Sequence, residues 1–325
     1  MLVGPNNSGK STCVEALGAG LGIADGSIGA VAELLLRRGG STHHALKVTA
    51  HTARRGSPYR FEIALRTSTD TIHASMETND IQEPAVLHRA INQGLSSPLV
   101  RVCTQASLGD AVSVRAEAMF DEQGRHTVSK VVTSDQPESE PLAWDFIDVD
   151  AVRASRALED AYSAIEQAGS LPVVVDALRA SMPSLRDLRI LKIEDEFILH
   201  LFIDEGPPIP AYLAGDGLKR LLAIAASISK AAGGVVLLEE PECFQHPRYL
   251  RELVRLLANA VKSNTQVIMT THSSDLIDLL LHHEPSFEEL VFQRLRLIDG
   301  ELKATALRND AARMLRDELL EDLRA

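Results

Sequence analysis

Two stretches far apart in the 325-residue chain carry residue types suited to phosphate chemistry. The first is GPNNSGKS, which sets Gly4, Gly9, Lys10 and Ser11 at the spacing GxxxxGK followed by Ser or Thr. The apolar pair Leu2 and Val3 precedes it, and Val14, Leu17 and Leu21 follow at helical spacing. Glycine lets such a loop curl until its N–H groups and the positive end of the next helix face an anion, and Asn6 and Asn7 tolerate the backbone angles of the curl. With Ser8 inside the loop, Lys10 would set its ammonium on the β and γ phosphates, Ser11 would ligate Mg²⁺, and Thr12 would reach the α phosphate.

The second stretch is GGVVLLEEPE, Gly233 to Glu242. Val235 to Leu238 is an unbroken apolar run, the pattern of a strand buried on both faces, and two carboxylates end it. Strand ends of this kind open onto the ligand crevice of α/β sheets, so Glu239 and Glu240 are expected beside the phosphates. Successive side chains point opposite ways, so the pair divides the work: Glu239 for Mg²⁺, directly or through its waters, and Glu240 for the attacking water. A further buried strand, Gln266 to Thr270, runs to His272, with Ser273 or Ser274 able to cap the helix that follows. There His272 is placed for the γ phosphate. Gly215, Asp216 and Gly217 stand before a helix marked by Leu218, Leu221, Leu222, Ala225 and Ile228, another N-terminus suited to an anion.

In this order the motifs GPNNSGKST, LAGDGLKRLL, EEPECFQHP and TTHSSDLID resemble the ABC-type ATPase heads of the RecF, SMC and OLD-like group, especially the stand-alone bacterial "AAA family" ATPases. The resemblance spans Met1 to about Gly40 and about Leu185 to Leu297. It implies ATP and Mg²⁺ as ligands, Glu240 and His272 as catalytic groups, and heads that pair face to face on ATP. The turn Gly215 to Gly217 of one subunit would then cap the γ phosphate held by the other, with Pro241 to Pro247 at the same interface. It also implies signalling to an effector or nuclease partner, in phage defence or DNA repair. Three departures stand out. Ala214 occupies a position where such signatures often carry serine, the first glutamine after Lys10 is Gln82, and the strands that usually precede the loop are missing. From the last, Met1 is expected to be an internal or misassigned start, or the chain truncated, leaving the sheet edge unpaired. A nucleotide sensor with negligible hydrolysis and the ATP-binding subunit of a transporter remain as alternatives.

The elements that must position these residues are those of an α/β P-loop sheet flanked by helices. Its expected parts are a discontinuous ATPase core at 1–42 and 185–310, an antiparallel β region with a short helical insert at 43–141, a helical lobe at 142–184, and a C-terminal helix at 311–325. A short helix is expected near 83–93, and the helix after Pro247 is expected to bury Leu250, Leu253, Val254, Leu257 and Val261. No sustained heptads call for a long coiled-coil arm. Neither do clustered carboxylates after His272 call for a nuclease domain. The formal charge of −12 argues against a global basic field for nucleic acid, leaving DNA contact to scattered arginines such as Arg54, Arg55, Arg153 and Arg156. Cys13, Cys103 and Cys243 are odd in number and widely spaced, which suggests neither disulfides nor zinc. With no apolar run near the ~20 residues of a membrane span, a cytoplasmic protein without a membrane partner is expected.

Overall fold

The structure, a computed structural model, describes residues 1–5, 8–25, 60–66, 71–80, 91, 95, 98–108, 112–121, 126–134, 142–148, 157–283, 287, 289–299 and 301–324. Asn6, Asn7, the four arginines considered for DNA, and most of the helix expected at 83–93 lie outside the described residues. The chain divides into two compact units, residues 1–14 with 143–325, and residues 15–142.

The first unit opens with β1 (Leu2–Val3), buried at both positions, and α1 (Lys10–Asp25) begins in it. The second unit holds β2 (Arg60–Arg66), β3 (Thr71–Asp80), β4 (Pro98–Leu108), β5 (Val112–Asp121) and β6 (His126–Ser134), which pair antiparallel in sequence order. Alternation places neighbours on opposite faces: on β3, Ala74 is buried and His73 exposed.

The first unit resumes with β7 (Trp144–Ile147), α2 (Ala157–Gln167) and α3 (Leu171–Ser181). The antiparallel strands β8 (Leu185–Ile193), β9 (Glu196–Ile203) and β10 (Ile209–Pro210) come next, then α4 (Asp216–Lys230) and β11 (Val235–Leu238). The chain continues with α5 (Pro247–Lys262), β12 (Gln266–Met269), α6 (Ser274–Leu281), β13 (Val291–Ile298), β14 (Glu301–Arg308) and α7 (Asn309–Arg313). β11 lies in the middle of a parallel ladder, β12 on one side and β7 on the other, with Leu238 level with Met269 and Ile147. β1 pairs in parallel with β13, and a bridge from Leu2 to Thr270 joins it to the far side, giving the order β14-β13-β1-β12-β11-β7. The edge expected to be unpaired is therefore paired on both sides, because β13, almost 300 residues later, supplies the neighbour.

Helical periodicity fixes what the helices bury. On α4, Leu218, Leu221, Leu222, Ile224 and Ala225 join the core that β11 and α5 complete. Each such leucine contributes on the order of 1.5–3 kcal/mol by leaving water. On α5, Leu250, Leu253, Val254 and Leu257 are buried as expected, whereas Val261, in the last turn and past the packed core, is 44% exposed. The α/β class of the sequence reading holds. At the C-terminal end a continuous helix over 311–325 does not form: α7 passes into a π turn, Met314–Glu318, and the chain then folds back to bury Leu323 against Val3, Ile277 and Phe292. Among the described residues no helix is long and apolar enough to cross a membrane.

Candidate functional site

The parallel order dictates the site. Strands that run the same way end at the same edge, so the loop after β1, the carboxylates after β11 and the histidine after β12 converge there. Gly4 is held at φ +150, and a Cβ at this position would stand 2.4 Å from the Leu295 carbonyl oxygen and 2.8 Å from Ser8 Oγ. No other residue fits between the loop and β13 without moving one of them. Gly9 takes φ +83, in the left-handed region that favours glycine, as the loop enters α1. Ser8 and Lys10 are buried, Ser11 is half-buried and Thr12 exposed on the first turn of α1.

Lys10 Nζ donates to the carbonyls of Gly4 (2.8 Å) and Pro5 (2.9 Å) and stands 3.5 Å from Ser8 Oγ. Burial pulls its pKa below the ordinary lysine value, while the charges of Glu240 and Glu242 act in the opposite direction. The ammonium of the first motif thus sits within the field of the second.

On the far side of the ladder, Glu239 N–H donates to Ile147 O at 2.8 Å, and Glu240 N–H donates to Thr270 Oγ1 at 3.1 Å. Glu240 adopts a left-handed backbone, φ +43, which ends the strand and turns the next residues back. Its Oε1 lies 3.2 Å from His272 Nε2, and its Oε2 accepts from Cys243 Sγ at 3.3 Å. Past the end of β11, the left-handed turn at Glu240 brings its side chain to His272 and Cys243, while the Glu239 N–H stays on Ile147 O.

The structure brings Lys10, Glu240 and His272 together with the β11 tip that carries Glu239. Gly215, Asp216 and Gly217 stand apart from the loop on α4, where a Cβ on Gly217 would lie 3.0 Å from Phe244 O and 3.4 Å from Tyr249. Gly215 is the N-cap of α4 without a side-chain cap, and Asp216 pairs with Lys219 at 3.1 Å.

Three residues take roles here that the sequence reading did not give them, Glu242 having been placed there only within the interface segment Pro241 to Pro247. Glu242 is one: its Oε1 accepts from Thr271 Oγ1 (2.5 Å), His272 N–H (2.8 Å) and Ser273 N–H (3.1 Å), pinning the turn that presents His272. Arg220 is another, fully buried on α4, with its guanidinium on the carbonyls of Asp148 and Glu239, so that it ties the β7 and β11 tips. Burial pulls its pKa down, and the charges around Cys243, Asp148, Glu242 and Glu239 offset this. An arginine within the apolar stripe of α4 was the available signal. Asp148 is the third, one residue past β7 beside Glu239; no motif marks it, and only strand order puts it there.

The residues fit a magnesium triphosphate. Gly4 lets the loop pack against β13, which leaves the N–H groups at the head of α1 to face a phosphate, and Mg²⁺ takes one or two protein oxygens besides phosphates, which Ser11 and Glu239 could offer.

Comparison with known proteins gives one matching family and several partial likenesses. The family described as "AAA domain, putative AbiEii toxin, Type IV TA system" matches residues 116–278, half of the chain. An uncharacterized protein of Methanocaldococcus jannaschii, MJECL11, is 36% identical over 115 residues, 34% of this chain and 98% of that protein. Endonuclease GajA of Bacillus cereus is 21% identical over 208 residues, 58% of this chain but 28% of its own length. Among solved structures, an Smc head bound to the C-winged helix domain of ScpA aligns with a TM-score of 0.46 at 13% identity, over 96% of this chain and 91% of that one. A Pyrococcus furiosus Smc head bound to the C-terminal domain of ScpA gives 0.44 at 11% identity, over 98% and 92%.

Proposed function

The chain belongs to the family described as "AAA domain, putative AbiEii toxin, Type IV TA system", and from that premise we propose that it is a P-loop ATPase of the RecF, SMC and OLD-like group that hydrolyses the ATP it binds and pairs with a second copy when it does so. The observation that carries the proposal is the Glu240–His272 pair, 3.2 Å apart, in the field that also reaches Lys10. In this reading Lys10 and the loop N–H groups hold the triphosphate, and Ser11 and Glu239 hold Mg²⁺, which neutralises charge developing on the phosphates. Glu240 accepts the proton of the attacking water, and His272 orients Glu240 and meets the γ phosphate. Gly215 to Gly217 reach the γ phosphate of the partner copy through the N-terminus of α4, in an isologous arrangement where each surface meets its own copy.

The same reading takes 1–42 with 185–310 as the ATPase core of a cytoplasmic protein. Its cycle signals to an effector, and a nuclease is the partner class, since GajA is named an endonuclease and aligns with 58% of the chain.

The test is ATP turnover and size-exclusion chromatography of the wild type beside Glu240→Gln and Lys10→Ala. Turnover is expected to vanish in Glu240→Gln while an ATP-dependent dimer persists, and nucleotide binding is expected to vanish in Lys10→Ala. Equal, near-zero turnover in wild type and Glu240→Gln, with binding intact, would replace the enzyme by a nucleotide sensor.

A further inference from the structure

We propose that Cys243 is a positioning residue for Glu240: its thiol and the His272 ring each hold one oxygen of that carboxylate, fixing the plane in which Glu240 meets water. The inference rests on the proposed hydrolysis and adds to it a residue that no motif assigns. The geometry comes from one turn of chain. Glu240, left-handed at φ +43, directs the chain back so that Cys243 N–H donates to Glu240 O at 3.0 Å, and this closure brings the side chains of residues 240 and 243 onto each other. Sγ then donates to Oε2 at 3.3 Å while Nε2 of His272 stands 3.2 Å from Oε1.

Two tethers do what one cannot. A glutamate held at one oxygen still rotates about its terminal bond, and freezing a free glutamate side chain costs rotamer entropy. With both oxygens engaged, that ordering is complete before substrate arrives, and a general base works only within hydrogen-bond reach of the proton it removes.

The state of the sulfur suits a donor. Burial first, and then the bond to Glu240, push the Cys243 thiol up to about 12, so it keeps the proton it donates at neutral pH. A hydroxyl would serve in its place; an apolar side chain would not.

Two measurements test this, and one needs no turnover. With Cys13→Ser and Cys103→Ser, Cys243 is the one remaining cysteine of the chain's three. Its alkylation by iodoacetamide at a fixed neutral pH is expected to run about tenfold faster when Glu240→Gln is added, since one pKa unit is tenfold in thiolate. Equal rates overturn the proposal whether or not the protein hydrolyses ATP. In turnover, Cys243→Ala is expected to lower kcat about 3- to 10-fold, the range of one hydrogen bond, with KM for ATP unchanged. Cys243→Ser should recover kcat to within about twofold of wild type through its hydroxyl donor. An alanine variant as fast as wild type, or a serine variant as slow as alanine, overturns the positioning role. A wild type without any turnover refutes the hydrolysis reading instead, and the alkylation rates then decide by themselves whether the contact exists.

Discussion

Two helices of the same unit have N-termini in opposite condition. At α6 the donors are engaged by the chain itself: Ser273 Oγ accepts from Leu276 N–H at 3.1 Å, and Glu242 takes the N–H groups of His272 and Ser273. At α4 the N-cap is Gly215, exposed and without a side-chain cap, and a Cβ there would have no atom within 4 Å. A helix end already facing a carboxylate of its own chain has no use for a second anion, whereas a bare glycine cap keeps its N–H groups available. The difference separates two turns that look alike in sequence: the one at α6 builds His272 into place, and the one at α4 is suited to a group from outside the chain.

That division can be broken at several points. The largest effect is expected at the carboxylate that the α6 turn serves. Glu240→Gln should lower ATP turnover by about 10²- to 10⁴-fold, the scale of a lost general base, while the melting temperature moves little. A large fall in melting temperature would instead make Glu240 a structural group like Glu242. For Glu242 itself the expectation is reversed. Glu242→Ala leaves the Thr271 hydroxyl and the His272 N–H without their acceptor, Ser273 N–H keeping Thr271 Oγ1 at 3.0 Å, and should cost about 3 kcal/mol of stability, measured by urea unfolding. Loss of turnover with unchanged stability would contradict the assignment.

At α4 the two glycines should behave differently from each other. Gly217→Ala pushes a Cβ to 3.0 Å from the Phe244 carbonyl and should cost on the order of 1–2 kcal/mol unless the 241–247 segment yields. Gly215→Ala meets nothing within 4 Å and should cost no more than about 0.5–1 kcal/mol, the difference between glycine and alanine as an N-cap, yet weaken the ATP-dependent dimer seen by size exclusion. If Gly215→Ala destabilises as much as Gly217→Ala, the α4 end is structural too, and the contrast collapses.

The smallest expected effect lies at the other end of α6. His282 Nδ1 is 2.8 Å from Asp278 O and Nε2 is 3.2 Å from Asp317 Oδ2, and these contacts raise its pKa above the ordinary histidine value, the Asp278 carbonyl most. A raised pKa means the folded state holds the proton more tightly, so the stabilisation is full below about 6.5 and fades as pH rises through the folded value. The ring is 52% exposed, so solvent screening keeps the gain small. The drop in melting temperature from pH 6 to pH 8 should shrink slightly in His282→Gln, and an unchanged drop would remove His282 from the clasp between α6 and the C-terminal segment.

That segment shows where periodicity stops being informative. Charged residues at helical spacing suggested one helix to the end of the chain. Leu323 instead finds a buried place beside Val3 and Phe292, and Arg324 Nη1 reaches the His272 carbonyl at 2.9 Å, so burial and one charge-assisted hydrogen bond outweigh a few exposed helical turns. The Cys243–Glu240 contact was hidden for a related reason. Spacing alone does not place residue 243 on residue 240; the left-handed backbone of Glu240 does, and a glutamate gives no sign of it in sequence.

What the sequence determined by itself are the pieces whose geometry is local: glycines that let a loop follow β1, an apolar run buried on both faces that ends in carboxylates, a serine that caps α6. Each depends on sterics and hydrogen bonds within about ten residues of chain, which composition and spacing encode. Only the tertiary structure decided how the pieces divide the chemistry. β13 rather than an earlier strand flanks β1, Arg220 joins the tips of β7 and β11, Glu242 serves a turn, and Cys243 rather than the loop meets the second oxygen of Glu240. These depend on strand order and on which buried polar groups need partners, and burial sets that need only after distant segments have packed together.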